Sequence, residues 1–481
     1  MNSGDLAFTP ALEQARLIRA KEISPLELTE LYLQRIERLN GQLGSYVTVA
    51  AEQAIADAKT KTEALTGNLD QLPPFFGVPI SIKDLNPVAG MPCTYGVKVL
   101  KDRVAPEDDG VVVRIKQAGF IILGKTATSE LGTLPYCEPD GFPPARNPWN
   151  LDYTPGGSSG GAAAALAAGL CAIAQGSDGG GSIRGPAFCC GLVGIKPARG
   201  RVTQAPFGDR LSGIATNGPL GRTVADTAAL LDVLSGYVTG DPYWLPDPDP
   251  SFLAMTNTAP KPLRIAFATS LAPIGDADPV CRQAVIDTAR LLEQLGHSIE
   301  PGYPDFADLV EPFTIIWQSV IGEAGVPFWR FLLGEKRIPV IFLGKMNRWL
   351  FQRAEASSSG KYLRAVAAMQ IISRRIVSFF DDIDVLLLPT YMHPPIRIGE
   401  WANLRPAKTL EKIVDWIAPC PPFNATGQPA IALPTGFAPN GLPIGIQLIG
   451  RPAAESTLIA LAAQLEQARP WTQRPALAMD L

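Results

Sequence analysis

Two loops rich in serine and glycine stand out in this 481-residue chain. Pro155-Gly156-Gly157-Ser158-Ser159-Gly160-Gly161 is followed, after a small-residue stretch, by Gly176-Ser177-Asp178-Gly179-Gly180-Gly181-Ser182-Ile183-Arg184. Glycine lets a backbone turn at positive φ and come close to a ligand, and successive N–H groups in such a turn form a concavity for negative charge. Each loop can therefore present a serine hydroxyl beside backbone donors, the arrangement of an oxyanion hole. The plainer reading, a pair of tight turns or a flexible linker, fits poorly with loops that flank an Ala-rich helix and an apolar strand. A serine hydroxyl is a poor nucleophile until a base takes its proton. Histidine is scarce, His297 and His393 being the two in the chain, so lysine becomes the candidate base. Lys83 ends the apolar run Gly77-Val78-Pro79-Ile80-Ser81-Ile82, where burial would lower its pKa from about 10.4 toward neutrality. Taken alone, Lys83 also reads as a strand-end lysine reaching for solvent, or as a partner of Asp84.

The elements that would hold these residues follow from periodicity and punctuation. Short apolar runs alternate with helical patterns from Phe76 onward: Val78 to Ile82, Gly110 to Ala118, Phe120 to Leu123. That rhythm signals an α/β protein. Further strands are expected at Cys171 to Ala174, Val193 to Lys196, Leu263 to Ala268, Val385 to Leu388 and Ile444 to Ile449. Helices are expected around Thr223 to Leu234 and Val280 to Leu295. Ser24-Pro25-Leu26-Glu27 combines an N-cap serine, proline at the first helical position and a capping-box glutamate, so a helix to about Asn40 follows. The fold expected is α/β, a mixed sheet with helices on both faces. A single domain over residues 1–481 would divide into a helical segment over about 1–70, a core over about 71–240, a variable substrate-side region over about 262–380 and a returning core over about 381–481. A Pro- and Asp-rich excursion lies between Gly240 and Pro262.

Composition bounds the function. Hydrophobic residues at 46% and charged residues at 18% fit a large core, and a formal charge of −4 supplies no field for gripping nucleic acid. The seven cysteines, odd in number and without framework spacing, read as reduced thiols of a cytoplasmic protein. The N-terminus lacks the pattern of a secretory signal, and the stretch Ala162 to Ala174 is too short to span a bilayer. Residues 313 to 351 concentrate Phe313, Trp317, Phe328, Trp329, Phe331, Phe342, Trp349 and Phe351 among basic side chains. That stretch reads as core or subunit contact, as the wall or lid of a substrate pocket, or as a membrane-surface patch.

The motifs resemble those of the amidase signature family, with its Ser–cis-Ser–Lys triad. The family's lysine falls on Lys83 within GVPISIKD, its bridging serine on Ser158 of GGSSGG and its nucleophile on Ser182 of GGGSIR, at intervals of 75 and 24 residues. The resemblance continues through Cys190-Gly191-Leu192-Val193-Gly194-Ile195-Lys196-Pro197, Gly218-Pro219-Leu220 with Asp226, Pro434-Thr435-Gly436 and Gly441-Leu442-Pro443-Ile444-Gly445. It implies the amidase signature fold, a large mixed twisted sheet, and hydrolysis of a small-molecule amide without metal or organic cofactor. Ser182 would attack the amide carbon and Ser158, held by a cis peptide, would pass its proton to Lys83. The oxyanion would face the N–H groups of Gly179, Gly180, Gly181 and Ser182, while Ser159, Ser177, Asp178 and Arg184 support the loops. Many relatives form homodimers, and no nucleic acid or membrane span is implied. One departure concerns Gly179, where many relatives carry threonine or isoleucine; it leaves substrate size open.

Rival readings have weaker support. Gly119-Phe120-Ile121-Ile122-Leu123-Gly124-Lys125-Thr126 matches a phosphate-loop pattern, but four apolar residues replace the loop. Ser158 and Ser159 each sit in a G-x-S-x-G frame, which needs a preceding strand and a histidine. The amidase subunit of a glutamine-dependent tRNA amidotransferase and a non-catalytic binding protein on the same scaffold complete the alternatives.

Overall fold

The computed structural model describes residues 3–65, 67, 71–209, 211–319 and 340–479. Its strands are β1 (Tyr46–Val49), β2 (Pro79–Lys83), β3 (Ile121–Thr126), β4 (Ile173–Asp178), β5 (Val193–Lys196), β6 (Thr216–Gly221), β7 (Arg264–Phe267), β8 (Ser270–Leu271), β9 (Gly275–Asp276), β10 (Ser298–Pro301), β11 (Val385–Pro389), β12 (Ala430–Phe437) and β13 (Pro443–Gly450). Eleven of them form one sheet in the order β1-β3-β2-β4-β6-β5-β12-β13-β11-β7-β10, and β8 pairs with β9 alone. Pairing is parallel for β3/β2, β2/β4, β11/β7 and β7/β10, and antiparallel elsewhere. The sheet is mixed, as the sequence implied.

Strands β2, β3, β5, β6, β11 and β13 are buried at every position, which requires cover on both faces. Helices Gly160–Ala167, Val224–Leu234, Pro279–Gln294 and Glu455–Ala468 pack onto them. The first of these is built of alanine, glycine and one leucine, and all eight residues are buried; small side chains let a helix lie close against its neighbours.

The capping box forms as the sequence indicates. Ser24 Oγ accepts from the Glu27 N–H at 3.1 Å, and Glu27 Oε2 accepts from the Ser24 N–H at 2.8 Å. The helix runs Pro25–Leu43, three residues beyond the expected Asn40, to a left-handed Gly44. The segment 1–70, expected to be helical, also supplies β1, whose Tyr46-Val47-Thr48-Val49 run suits an edge strand beside β3. No helix among the described residues is long and apolar enough to cross a membrane.

Candidate active site

Lys83 is the last residue of β2, and β4 runs parallel beside it, so Lys83 and Ser177 meet at the carboxyl ends of two neighbouring parallel strands. The Lys83 side chain is fully buried. Its Nζ lies 2.7 Å from Ser158 Oγ, 2.9 Å from Ser177 Oγ and 3.3 Å from the Ser177 carbonyl oxygen. Burial pushes its pKa down to about 7, opposed only weakly by Cys137 and Asp178.

A second buried lysine shows why. Lys125 leaves the adjacent strand β3 and donates to Asp84 Oδ1 at 2.9 Å, both groups being fully buried. Burial alone would lower the Lys125 pKa, yet the Asp84 carboxylate raises it. Asp84, the sequence neighbour of Lys83, is thus taken by Lys125 and by Thr94, whose N–H and hydroxyl both donate to Oδ2. The lysine with a carboxylate stays charged; Lys83 Nζ, bonded to hydroxyls and a carbonyl, contacts no carboxylate among the described residues. The readings of Lys83 as a solvent-reaching group or an Asp84 partner both fall away.

The Gly157–Ser158 peptide is cis. Ser158 O accepts from Cys137 Sγ at 3.3 Å, and a Cβ on Gly157 would run into the backbone of Pro135 and Tyr136, so glycine is needed there for close approach. Ser159 bridges the two serine loops, donating from Oγ to Ser177 O at 3.2 Å and accepting the Ser177 N–H at 3.3 Å. Its own N–H donates to Ser182 O at 3.3 Å.

Asp178 organises the second loop. Its carboxylate accepts from the N–H groups of Gly181 (2.7 Å) and Ile183 (3.1 Å) and from Arg184 Nε (3.1 Å) and Nη2 (3.0 Å). Burial alone would raise its pKa, but the Arg184 guanidinium holds it well below the usual carboxylate range. Arg184 also donates to Asn424 Oδ1, Gln447 Oε1 and Cys420 O, and Asn424 Nδ2 returns a bond to Asp178 Oδ1 at 2.9 Å. Asn424 and Gln447 carry no local signal in the sequence. Of the four expected oxyanion donors, Gly181 already directs its N–H to Asp178. The N–H groups of Gly179, Gly180 and Ser182 meet no acceptor among the described residues.

Ser182 lines a cavity together with Gly157, Gly180, Thr133 and Leu134. Phe313 and Trp317, Met346 and Leu350, and Leu410, Ile413 and Ile417 line it from three helices, Val310–Ser319, Lys345–Glu355 and Pro406–Ile417. No side chain that carries a charge lines this cavity among the described residues. The aromatic stretch 313–351 therefore divides: Phe313 and Trp317 face the cavity, Trp349 and Phe351 pack on a small separate cluster, Phe342 is half exposed, and Phe328, Trp329 and Phe331 lie outside the described residues.

The rival constellations do not assemble. Residues Ile121–Thr126 are a fully buried strand, so no loop there could cradle a phosphate. The segment before Ser158 is turns and isolated bridges rather than a strand. His393 stacks on Trp416 with Nδ1 at Pro394 O, and His297 pairs with Gln464 and the Leu263 N–H. Neither reaches a serine of the loops.

A family profile described as Amidase matches residues 27–459. The chain belongs to the amidase family. A provisionally named amidase of Synechocystis sp. is 53% identical over 465 residues, covering 96% of this chain and 89% of that one. An acylamidase of Rhodococcus erythropolis is 32% identical over 479 residues, covering 98% of each chain. The solved structure of 6-aminohexanoate cyclic dimer hydrolase superposes with a TM-score of 0.91 at 32% identity, over 98% of this chain and 99% of its own. This amidase is accordingly an enzyme that hydrolyses amide C–N bonds, and its α/β sheet is the amidase signature fold.

Proposed function

We propose that this amidase hydrolyses uncharged amides with an apolar acyl group, with Ser182 as nucleophile, Ser158 as proton relay and Lys83 as base. The observation that carries the reading is the 2.7 Å approach of a buried Lys83 Nζ to Ser158 Oγ. A neutral amine has two N–H donors and one lone pair. Ser177 O can only accept, and Ser177 Oγ can accept as well, so the two donors go to Ser177 and the lone pair is left for the Ser158 hydroxyl. Ser158, its proton drawn toward Lys83, then takes the Ser182 proton as Ser182 Oγ bonds to the amide carbon. The oxyanion is stabilised by the N–H groups of Gly179, Gly180 and Ser182, while Gly181 spends its own on Asp178 and so fixes the loop.

Collapse returns the proton through Ser158 to the departing nitrogen, which leaves as ammonia or amine. Water repeats the sequence on the acyl-enzyme and releases the carboxylate. Ser159, Ser177, Asp178 and Arg184 hold the geometry without bonding to the substrate. Among the described residues the cavity offers no counter-ion, so glutamine, with its ammonium and carboxylate, would meet these walls at a desolvation cost. That weighs against the amidotransferase reading and against a charged substrate.

Ammonia release by the purified chain from a panel of primary amides tests this, with Ser182→Ala as blank. Release from apolar amides such as hexanamide, absent in the blank, is the expected result. Glutamine turned over as well as hexanamide would overturn the substrate reading, and release persisting in the blank would overturn the nucleophile.

A further inference from the structure

Gly179 has no backbone reason to be glycine, since its φ lies outside the left-handed region. Its reason is space. A Cβ there would stand 3.0 Å from Cζ3 and 3.4 Å from Cη2 of the Trp317 indole. At the next position the wall is farther away, and a Cβ on Gly180 would meet Phe313 Cζ at an ordinary 3.8 Å. Phe313 and Trp317 are one turn apart on the helix Val310–Ser319, and their rings run nearly parallel, 13° between planes and 6.1 Å between centroids. Both line the same cavity as Ser182.

From this we infer that Gly179 and Trp317 are a matched pair that determines specificity, and that the group they admit is flat: an aryl or arylalkyl acyl chain lying against an aromatic wall. A larger side chain at position 179, such as threonine or isoleucine, would occupy the space that the indole takes here. With Gly179 the indole closes over the nucleophile loop, and the wall it forms with Phe313 begins at Gly179, itself one of the proposed oxyanion donors. A planar ring beside this wall stacks on it, whereas a puckered ring of the same carbon count cannot. The inference rests on the reading of the site as an apolar-amide hydrolase and adds the shape of the acyl group.

The test compares kcat/KM for phenylacetamide and cyclohexylacetamide, equal in chain length and ring size but different in planarity, with Trp317→Leu supplying the intrinsic baseline. The wild type should favour the planar amide by about 2- to 10-fold more than Trp317→Leu does, the range expected of one aromatic pair. Gly179→Ala, which forces the indole to give by a few tenths of an ångström, should lower that ratio in the wild-type background and leave it unaltered in Trp317→Leu, a coupling that a double-mutant cycle reads directly. Equal ratios in wild type and Trp317→Leu would overturn the pair. So would a Gly179→Ala variant that slows both amides alike with its ratio intact. If Gly179→Ala does not fold, the wild-type against Trp317→Leu comparison still decides. Failure of the underlying reading is separate: neither ring amide would be hydrolysed while glutamine or glycinamide was.

Discussion

Replacing Ser177 by alanine removes one of the two hydroxyls that hold Lys83, at 2.9 Å from Nζ, and leaves the Ser158 contact in place. The substitution should change the Lys83 pKa in a calculable direction. A hydrogen bond to a charged group contributes about 1.5–3 kcal/mol and one between neutral groups about 0.5–1.5, so the ammonium form of Lys83 loses about 1–1.5 kcal/mol more than the neutral amine. One pKa unit corresponds to about 1.4 kcal/mol. The Lys83 pKa, already pushed by burial to about 7, should therefore fall by about one unit. In the proposed mechanism Lys83 acts as a base when neutral, so the acid limb of kcat/KM should move to lower pH. At pH 6 the variant should then retain about half of its own plateau, against about a tenth for the wild type. Rates of a neutral amide measured from pH 5 to 9 would show this. An acid limb that stays put, or moves to higher pH, would refute the assignment of that limb to Lys83 in this environment.

Other substitutions read different parts of the account. Lys83→Met keeps the apolar stem and removes the proposed base, so activity should fall by about 10²–10⁴ while the fold persists by circular dichroism; a variant retaining most of its rate would contradict the role. Because the Lys83 pKa drops from 10.5 to about 7 on folding, the unfolded chain binds more protons between those values, and wild-type stability gains with rising pH. Urea unfolding should therefore show the advantage of Lys83→Met over wild type shrinking from pH 6 to pH 9, and a constant difference would count against burial as the cause. Asp178→Asn leaves Arg184 buried without its counter-charge and should cost about 3–5 kcal/mol in urea unfolding, with a loss below about 1 kcal/mol as the contrary result.

Much of this architecture is legible in the residues, and the parts that are not share a physical cause. The strand expected at Val193 to Lys196 is β5 to the residue, and β2 and β11 lie within one residue of their expected bounds, because continuous apolar runs ended by Gly, Pro or charge have few alternatives; β3 runs on to Thr126, three residues past the expected Leu123. β6 carries Gly218-Pro219 at its centre, and β12 carries Pro434 with a register shift before Gly436. Local propensity argues against both strands, and pairing with β4, β5 and β13 overrides it. The same holds at the site. Lys83, Ser158, Ser159, Ser177 and Ser182 announce themselves as short motifs. Hydrogen bonds join the side chains of Lys83, Ser158 and Ser177 and tie that of Ser159 to the Ser177 backbone, and Ser182 is tied in through its carbonyl oxygen, which accepts from the Ser159 N–H. That Lys125 rather than Lys83 holds Asp84, that Cys137 lies beneath Ser158, that Asn424 and Gln447 secure Arg184, and that Trp317 fills the space at Gly179 all depend on contacts between residues far apart in the chain. No window of sequence contains them.

The central claim is that Ser182 carries the acyl group. Its most direct test is rapid acid quenching of the enzyme during turnover of 4-nitrophenyl phenylacetate, whose good leaving group makes acylation outrun deacylation, followed by mass spectrometry. Trypsin leaves Ser158 and Ser182 together in the peptide 147–184, so fragmentation must assign the modified residue. The account predicts a phenylacetyl increment on Ser182, absent from Ser182→Ala. An increment on Ser158, or one that persists in Ser182→Ala with activity retained, would contradict it.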